Sequence, residues 1–250
     1  MNYKLTLQYD GTQFHGWQIQ TGRRTVQGEL TRVLSLLDGR EVTLHGSGRT
    51  DAGVHAEGQV ASVQLTRTFE PEKLSAAING NLDLDVRVMK SESVSDEFHA
   101  RYSALGKTYL YRIVNARVIS PFWVRYAFRE ARPLDLDRMR AAAQYFPGEH
   151  DWTGFSSAQS DAQSRVRDVT AVEIEAAVDR RANATLIEIR VSANGFLRYM
   201  VRSMVGALIA VGLGDIEPET IRDVIASGQR PLAIVTAPAC GLTLLKVRYD

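Results

Sequence analysis

The chain is poor in cysteine and in long hydrophobic runs. Its 250 residues include one cysteine, Cys240, which excludes an intrachain disulfide and a cluster of thiolate metal ligands. Because such usage is typical of a reducing compartment, we predict a cytoplasmic location. The most apolar segment, 196–213, is interrupted by Arg198 and Arg202, which favours a buried helix over a membrane span. The alternating MNYKLTLQYDGTQ lacks the apolar core of a signal peptide, so we expect no membrane partner.

An excess of charge of one sign is also missing, since the formal net charge is +1, which argues against a simple nucleic-acid coat protein. Basic and aromatic residues nevertheless concentrate between positions 99 and 132, where the only acidic residue is Glu130. The basic residues are Arg101, Lys107, Arg112, Arg117, Arg125, Arg129 and Arg132, and the aromatic ones are Tyr102, Tyr109, Tyr111, Phe122, Trp123, Tyr126 and Phe128. Cations for phosphates and rings for bases are typical of an RNA-contacting surface. A solvated basic face over core aromatics explains this segment equally well.

Hydrophobic periodicity predicts the order βαββαβ in the first half. Strands are predicted over 3–9, 41–45, 59–66 and 85–93, and helices over 25–37 and 71–79. Thr25 is a suitable N-cap for the first helix, and Pro71 suits the first turn of the second.

The second half repeats this order more loosely. Strands are predicted over 107–114, 166–176, 184–193 and 242–249, and helices over 136–145, 195–212 and 219–226. We therefore predict an α+β fold with two ferredoxin-like (βαββαβ) halves that share a mostly antiparallel central sheet flanked by helices. The predicted domains are 1–104 and 105–250, with the active-site cleft between them.

The stretch GSGRTDAGVHAEGQ, from Gly46 to Gln59, is a glycine-studded turn between two predicted strands. It places the carboxylate of Asp51 two residues after Arg49. A guanidinium beside a carboxylate favours its ionised form and fixes its orientation, as a carboxylate nucleophile requires. An Asx-type turn with a surface ion pair is the alternative.

Other kinds of site find less support in the same stretch. A phosphate-binding loop would need G-x-x-x-x-G-K-[ST], and a serine hydrolase would need G-x-S-x-G, and neither motif occurs. His45, Asp51 and His55 lie within eleven residues, which leaves a metal site open. Cys240, just before a predicted strand, is typical of a small core residue.

Five stretches, in order along the chain, resemble the TruA family of tRNA pseudouridine synthases. The most specific is GRTDAGVHA at 48–56. The others are YDGTQFHGWQIQ at 9–20, FHARYSALGKTYLYRI at 98–113, NGFLRYMVRSMVGALIAVG at 194–212 and APACGLTLLKVRY at 237–249. The family usually has a second proline near Cys240, and this chain departs from that pattern.

The resemblance implies an isomerase that converts uridine to pseudouridine at positions 38, 39 and 40 of the tRNA anticodon stem-loop. It implies tRNA and a second copy of the chain as partners, with no cofactor or metal. The family's catalytic Asp maps onto Asp51, its active-site tyrosine onto Tyr109, and its basic partner onto Arg202. Leu242 is the expected apolar residue beside the base.

The residues themselves fit several of these roles. Rearranging a base requires flipping it out of its stack, so the site needs an aromatic face and an apolar pocket, which Tyr109 and Leu242 can supply. Arg202 lies in an otherwise apolar helix, where burying its charge would be costly. A partner carboxylate would offset this cost, and so would an extended side chain whose guanidinium reaches solvent.

Further substrate-binding residues are predicted as well. Arg49 is interpreted as a base-displacing residue, a backbone contact or a partner of Asp51. Phe14 and Gln18 are predicted in an RNA-facing loop, and Arg101 is predicted to hold phosphate. An RNA-binding module without catalysis and a metal-dependent RNA hydrolase using His45, Asp51 and His55 are the competing hypotheses.

Overall fold

The computed structural model describes residues 1–159, 163–180 and 183–249. Within these ranges it contains five α-helices and ten β-strands, which confirms the predicted mixture of helix and sheet. None of the described helices combines the length and apolarity needed to cross a bilayer. The chain forms two compact units, Met1–Leu105 with Thr243–Asp250, and Gly106–Leu242.

The elements are named in chain order. The strands are β1 (Asn2–Tyr9), β2 (Leu44–Gly46), β3 (His55–Gln64), β4 (Val86–Val94), β5 (Gly106–Asn115), β6 (Phe128–Glu130), β7 (Gly148–Asp151), β8 (Val166–Asp179), β9 (Ala184–Ala193) and β10 (Leu242–Arg248). The helices are α1 (Val26–Asp38), α2 (Pro71–Asn79), α3 (Leu136–Ala143), α4 (Met200–Gly212) and α5 (Thr220–Ser227).

The sheet of the first unit is built around β1, which pairs antiparallel with β3 and with β4. Its alternate residues Tyr3, Leu5, Leu7 and Tyr9 are all buried, as the period of two predicts. Strand β2 pairs antiparallel with β3 near its end, and β10 pairs parallel with β3 near its start. The start of β3 therefore lies inside the sheet, directly after the glycine-rich loop.

The two helices of the first unit begin where the sequence predicts. The Thr25 side chain accepts a hydrogen bond from the Gly28 N–H and caps α1, which ends at Gly39 in a left-handed conformation with φ 76°. Helix α2 spans Pro71–Asn79, with proline in its first turn.

Asp38, the last residue of α1, ties the helix to the chain that follows β3. Its buried carboxylate accepts hydrogen bonds from the Thr66 and Arg67 N–H groups, the Thr66 hydroxyl and the Arg40 guanidinium. Burial raises the pKa of Asp38, but these donors outweigh burial and hold the pKa below its usual range. An ionised carboxylate therefore fastens this end of α1.

Two strand predictions in the first unit were wrong at their edges. Strand β2 is shorter than predicted, because the Val42 N–H donates to the Ser35 hydroxyl of α1 instead of joining a ladder. Strand β3 begins at His55 and not at 59. Gly58 lies inside it, where a Cβ would collide with the Leu245 carbonyl of β10, so this glycine marks close backbone approach within a strand.

The second unit has the antiparallel order β5–β9–β8–β7, with β6 parallel to β5. The short strands β6 and β7 were missed by the sequence prediction. Helix α4 begins at Met200, five residues later than predicted, because Tyr199 adopts a left-handed conformation with φ 64° that a continuous helix cannot contain. The division into domains 1–104 and 105–250 stays a prediction, although compactness groups the residues of β10 from Thr243 onward with the first unit.

Candidate active site

The loop between β2 and β3 carries Asp51 and is held by its backbone on both sides. The Ser47 N–H donates to the Val60 carbonyl at 2.7 Å, and the Trp17 N–H donates to the Thr50 carbonyl at 3.0 Å. On the other side of Asp51, the Gly53 N–H donates to the Phe14 carbonyl at 3.3 Å. The loop is thus fastened to the sheet and to the segment that follows β1.

A buried polar network lies under the loop. The hydroxyls of Tyr9 and Thr50 are 2.8 Å apart, and the Gln59 amide bridges the loop by donating to the Gly48 carbonyl and accepting from the Ser47 hydroxyl. Burial raises the pKa of Tyr9 to about 12, against the opposing effect of its hydrogen bonds to Thr50 and Gln59. The phenol therefore stays neutral, and the residue preceding Asp51 is fixed through its side chain as well as its carbonyl.

Glycines permit the close packing of the two loops. Gly16 has φ 89°, and a Cβ there would lie 2.6 Å from the Thr50 carbonyl oxygen. At Gly46 a Cβ would lie 2.5 Å from the Trp17 ring. Larger residues at either position would push the Asp51 loop away from the segment after β1.

The structure brings three of the predicted site residues into this region. Asp51 is half-buried, and the exposed Arg49 donates from Nε to Gln18 Oε1 at 3.1 Å. Gln18 in turn donates to Gln27 at 2.8 Å. The Arg49 guanidinium is thus positioned by an amide that the sequence had predicted to face RNA.

Phe14 does not face outward as the predicted RNA-facing loop requires. Phe14 is only 3% exposed, and the Arg24 guanidinium carbon lies 4.2 Å from the centre of its ring. Trp17 is buried as well. In this conformation both rings pack inside the unit, and the substrate-binding role of Phe14 stays a prediction.

The two histidines near Asp51 are engaged elsewhere. His55 is buried at the start of β3, where its Nδ1 accepts from the Gly11 N–H and lies 3.3 Å from Asp10 Oδ1. His45 is exposed on β2 and its ring contacts that of His99. In the described ranges, His45, Asp51 and His55 do not form a group that could hold a metal ion.

The predicted catalytic residues Tyr109 and Arg202 and the predicted substrate-binding residue Leu242 lie in the second unit. Tyr109, on β5, is buried, with the Phe196 ring meeting it edge-on at 5.1 Å between centres. Leu242 is buried at the start of β10.

Arg202, on α4, is half-buried and is held by two contacts that the sequence did not reveal. Its Nε donates to the Ala237 carbonyl at 2.7 Å, and its guanidinium carbon lies 5.1 Å from the centre of the Tyr199 ring. The left-handed backbone of Tyr199 places that ring, and neither contact has a signature in the sequence pattern.

Two further groups lie near Arg202. Burial raises the pKa of Tyr111, whose hydroxyl donates to the Pro238 carbonyl, and burial also raises the pKa of Cys240. Both groups are therefore neutral at physiological pH.

The basic segment from 99 to 132 is mostly surface. Arg101, Arg117, Arg125, Arg129 and Arg132 are exposed. Arg112 is half-buried and pairs with Glu188 at 3.0 Å on the neighbouring strand. Binding of phosphate by the exposed arginines stays a prediction.

The sequence of the chain matches one known family of proteins. A family model described as tRNA pseudouridine synthase matches residues 6–103 and 142–250. The chain belongs to this family. A tRNA pseudouridine synthase A from Bacillus sp. (strain KSM-64) is 44% identical over 249 residues, which cover 99% of each chain. One from Maridesulfovibrio salexigens is 41% identical over 98% of this chain and 89% of its own.

Family membership and these relatives confirm the predicted resemblance to the TruA family, and the chain is an isomerase. A solved structure titled "Crystal Structure of a Cbf5-Nop10-Gar1 Complex" covers 83% of this chain and 54% of that chain, at 11% identity and a TM-score of 0.32. That likeness is too low to support an argument about the fold.

Proposed function

We propose that this isomerase converts uridine to pseudouridine at positions 38, 39 and 40 in the anticodon stem-loop of tRNA, with Asp51 as the nucleophile. The observation that carries the proposal is the anchoring of the Asp51 loop. The buried bonds to Thr50, Ser47 and Gly48 fix the backbone around one half-buried carboxylate. A nucleophile must be held in one orientation, whereas a carboxylate that merely forms a surface turn needs no such support.

The proposed reaction is balanced without an oxidant, reductant or co-reactant. Asp51 attacks the target nucleoside after its base has been flipped out of the stack, and the bond between ribose C1′ and uracil N1 breaks. The uracil then rotates, its C5 bonds to C1′, and the bond between Asp51 and the nucleoside breaks, which frees the carboxylate. C5 loses a proton and N1 gains one, so the product is an isomer of the substrate.

The other predicted residues serve this reaction in the proposal. Tyr109 stacks on the target uracil and assists removal of the C5 proton, and Leu242 contributes apolar packing beside the base. Arg202 is the basic partner that keeps the nucleophile ionised. The hydrogen bond from Arg202 to the Ala237 carbonyl and its contact with the Tyr199 ring hold the guanidinium in place. These contacts support a fixed role for this charge.

We also propose that the protein is a cytoplasmic homodimer. A second proposal is that each of its two halves has a ferredoxin-like fold. In the first unit, the pairing order β4–β1–β3–β2 supports the second proposal, because it is the antiparallel arrangement of a split βαβ unit. Light scattering of the purified protein tests the dimer.

The decisive experiment compares the wild type with Asp51→Asn on tRNA labelled with tritium at uracil C5. The variant should bind tRNA as the wild type does and release no tritium, since the nucleophile is lost and the fold is not. The matched control is Asp96→Asn, an exposed carboxylate of the same unit, which should leave the rate unchanged. Substantial turnover by Asp51→Asn would remove Asp51 from the nucleophile's role.

A second arm addresses the metal-dependent alternative. Exhaustive treatment with EDTA should leave tritium release unchanged if the reaction uses only protein groups. Loss of activity with EDTA and its recovery on adding Mg²⁺ or Zn²⁺ would favour a metal-dependent enzyme. Binding without tritium release by the wild type would favour an RNA-binding module.

A further inference from the structure

Three aromatic rings of the first unit lie in series near the protein surface, each tilted against the next. The centre of the His99 ring lies 4.6 Å from that of His45 and 4.4 Å from that of Tyr102, with interplanar angles of 36° and 37°. His45 is exposed, and Tyr102 is 77% exposed. The order His45–His99–Tyr102 places the tyrosine at one end of the series. These three rings are called the aromatic platform below.

The platform is held in place by backbone hydrogen bonds. His99 Nδ1 accepts from the N–H groups of Arg101 at 3.1 Å and Tyr102 at 3.3 Å. The Ala100 N–H donates to the Ser62 hydroxyl, and Ser62 lies directly opposite His45 in the β2–β3 ladder. The turn and the strand that contribute the rings therefore meet at one point of the sheet, and the backbone that carries the rings is held in place.

The platform also has a cation over its tyrosine ring and a neutral ring at its centre. The Arg101 guanidinium carbon lies 5.7 Å from the centre of the Tyr102 ring. Burial, with smaller effects from His45 and Arg101, lowers the pKa of His99. An uncharged ring that accepts at Nδ1 and stacks on both sides provides apolar support for the exposed tyrosine.

We propose that the aromatic platform binds an unpaired base of the tRNA substrate, which stacks on the exposed ring of Tyr102 while Arg101 holds the adjacent phosphate. The inference rests on the proposed function for the identity of the RNA. Single-stranded bases stack on exposed aromatic side chains because every base has a π-face, and a neighbouring arginine provides phosphate binding and cation–π contact.

The chain itself limits the distance from the platform to the reacting residue. His45 precedes Asp51 by six residues, and an extended chain spans at most about 3.3–3.6 Å per residue, so the Cα atoms are within about 20 Å of each other. This is the length of about six stacked nucleotides at ~3.4 Å each. The His45 end of the platform is therefore close enough to Asp51 for one bound RNA to reach both, and Tyr102 lies two ring spacings beyond His45.

The test measures the affinity of a tRNA transcript and the rate of tritium release for Tyr102 variants. Tyr102→Ala should raise the Kd about tenfold, within the range of one lost base stack, and Tyr102→Phe should stay within about twofold of the wild type. Tyr102→Leu keeps apolar area without the π-face and should bind as weakly as the alanine variant. The control is Leu84→Ala, a side chain of the same unit that is 87% exposed, which should change nothing.

A salt titration separates the base contact from the phosphate contact. Arg101→Gln should lower the slope of log K against log salt by about one, whereas Tyr102→Ala should leave that slope unchanged. Equal binding by the wild type and Tyr102→Ala would overturn the inference, and so would equal losses in Tyr102→Phe and Tyr102→Ala. Failure of the proposed function is distinguishable, because it appears as absent tritium release by the wild type whatever the affinities.

Discussion

Removing one buried hydroxyl beneath the Asp51 loop should impair catalysis more than stability. Tyr9→Phe deletes the hydroxyl that lies 2.8 Å from Thr50 Oγ1 and 3.5 Å from Gln59 Nε2. The net loss for one such bond is about 0.5–1.5 kcal/mol, and a buried partner left without it adds to that cost. We expect the free energy of unfolding to fall by about 1–2 kcal/mol, and Tm by about 2–4 °C per kcal/mol.

The catalytic effect follows from the position of Thr50, which immediately precedes Asp51. Without the Tyr9 hydroxyl, the Thr50 side chain no longer fixes the backbone at the proposed nucleophile. A carboxylate misplaced by a fraction of an ångström should lower kcat on the order of tenfold, with little change in KM. Tritium release under saturating tRNA measures kcat directly.

The same strand provides a matched control. The Tyr3 hydroxyl donates to the Phe69 carbonyl at 2.9 Å and accepts from the Phe69 N–H at 2.7 Å. Tyr3→Phe therefore loses at least as much hydrogen bonding from the same unit, and it should destabilise the protein without changing kcat. Equal losses of kcat in the two variants would refute the reasoning, because both would then reflect stability alone.

A double-mutant cycle tests the pairing itself. Thr50→Val removes the partner hydroxyl with little change in volume. If the two hydroxyls act together, the effects of Tyr9→Phe and Thr50→Val on stability should be non-additive by at least about 0.5 kcal/mol. Simple additivity would show that the contact contributes nothing.

Three further predictions concern the support of the first unit. Asp38→Asn should lower the free energy of unfolding by about 1.5–3 kcal/mol at pH 7, since Arg40 and the other donors lose a charged acceptor. Because the folded pKa of Asp38 is depressed, its contribution is present above the unfolded value of about 3.9 and is lost as pH falls. Denaturation from pH 7 to pH 2 should show the gap between wild type and variant closing, and a constant gap would contradict the assignment. Thr25→Ala should cost about 1 kcal/mol in urea denaturation through loss of the α1 cap, and an unchanged midpoint would contradict the cap. Gly46→Ala should displace the Trp17 ring and shift its fluorescence, whereas an unchanged spectrum and rate would show that the ring has room to move.

Local sequence patterns predicted most of the helices and strands, because each pattern depends only on residues that are neighbours in sequence. The α1 cap at Thr25 and the limits of α2 required only helical periodicity and turn chemistry. The short strands β6 and β7 have too few residues for a period of two to be visible. The predicted strand began at 59 and left out Gly58, whose close neighbour Leu245 is nearly two hundred residues away in sequence.

The candidate site likewise has features that the sequence could predict and features that it could not. Asp51 was proposed from one dense motif, and hydrogen bonds on both sides hold its loop in the structure. The burial of Phe14 depends on Arg24 and could not be read from an aromatic residue in a polar loop. The seating of Arg202 by Tyr199 depends on a left-handed backbone, a conformation for which tyrosine carries no signal.

The parallel pairing of β10 with β3 has a consequence for biosynthesis. The amino-terminal unit takes its last strand from residues that leave the ribosome only after all of Gly106–Leu242, a stretch of 137 residues (242 − 106 + 1). At ~5–20 residues synthesised per second, roughly 7–27 s pass before β10 can pair with β3. The edge of β3 that pairs with β10 stays unpaired throughout this interval, so folding of the unit that carries Asp51 is tied to completion of residues 243–248.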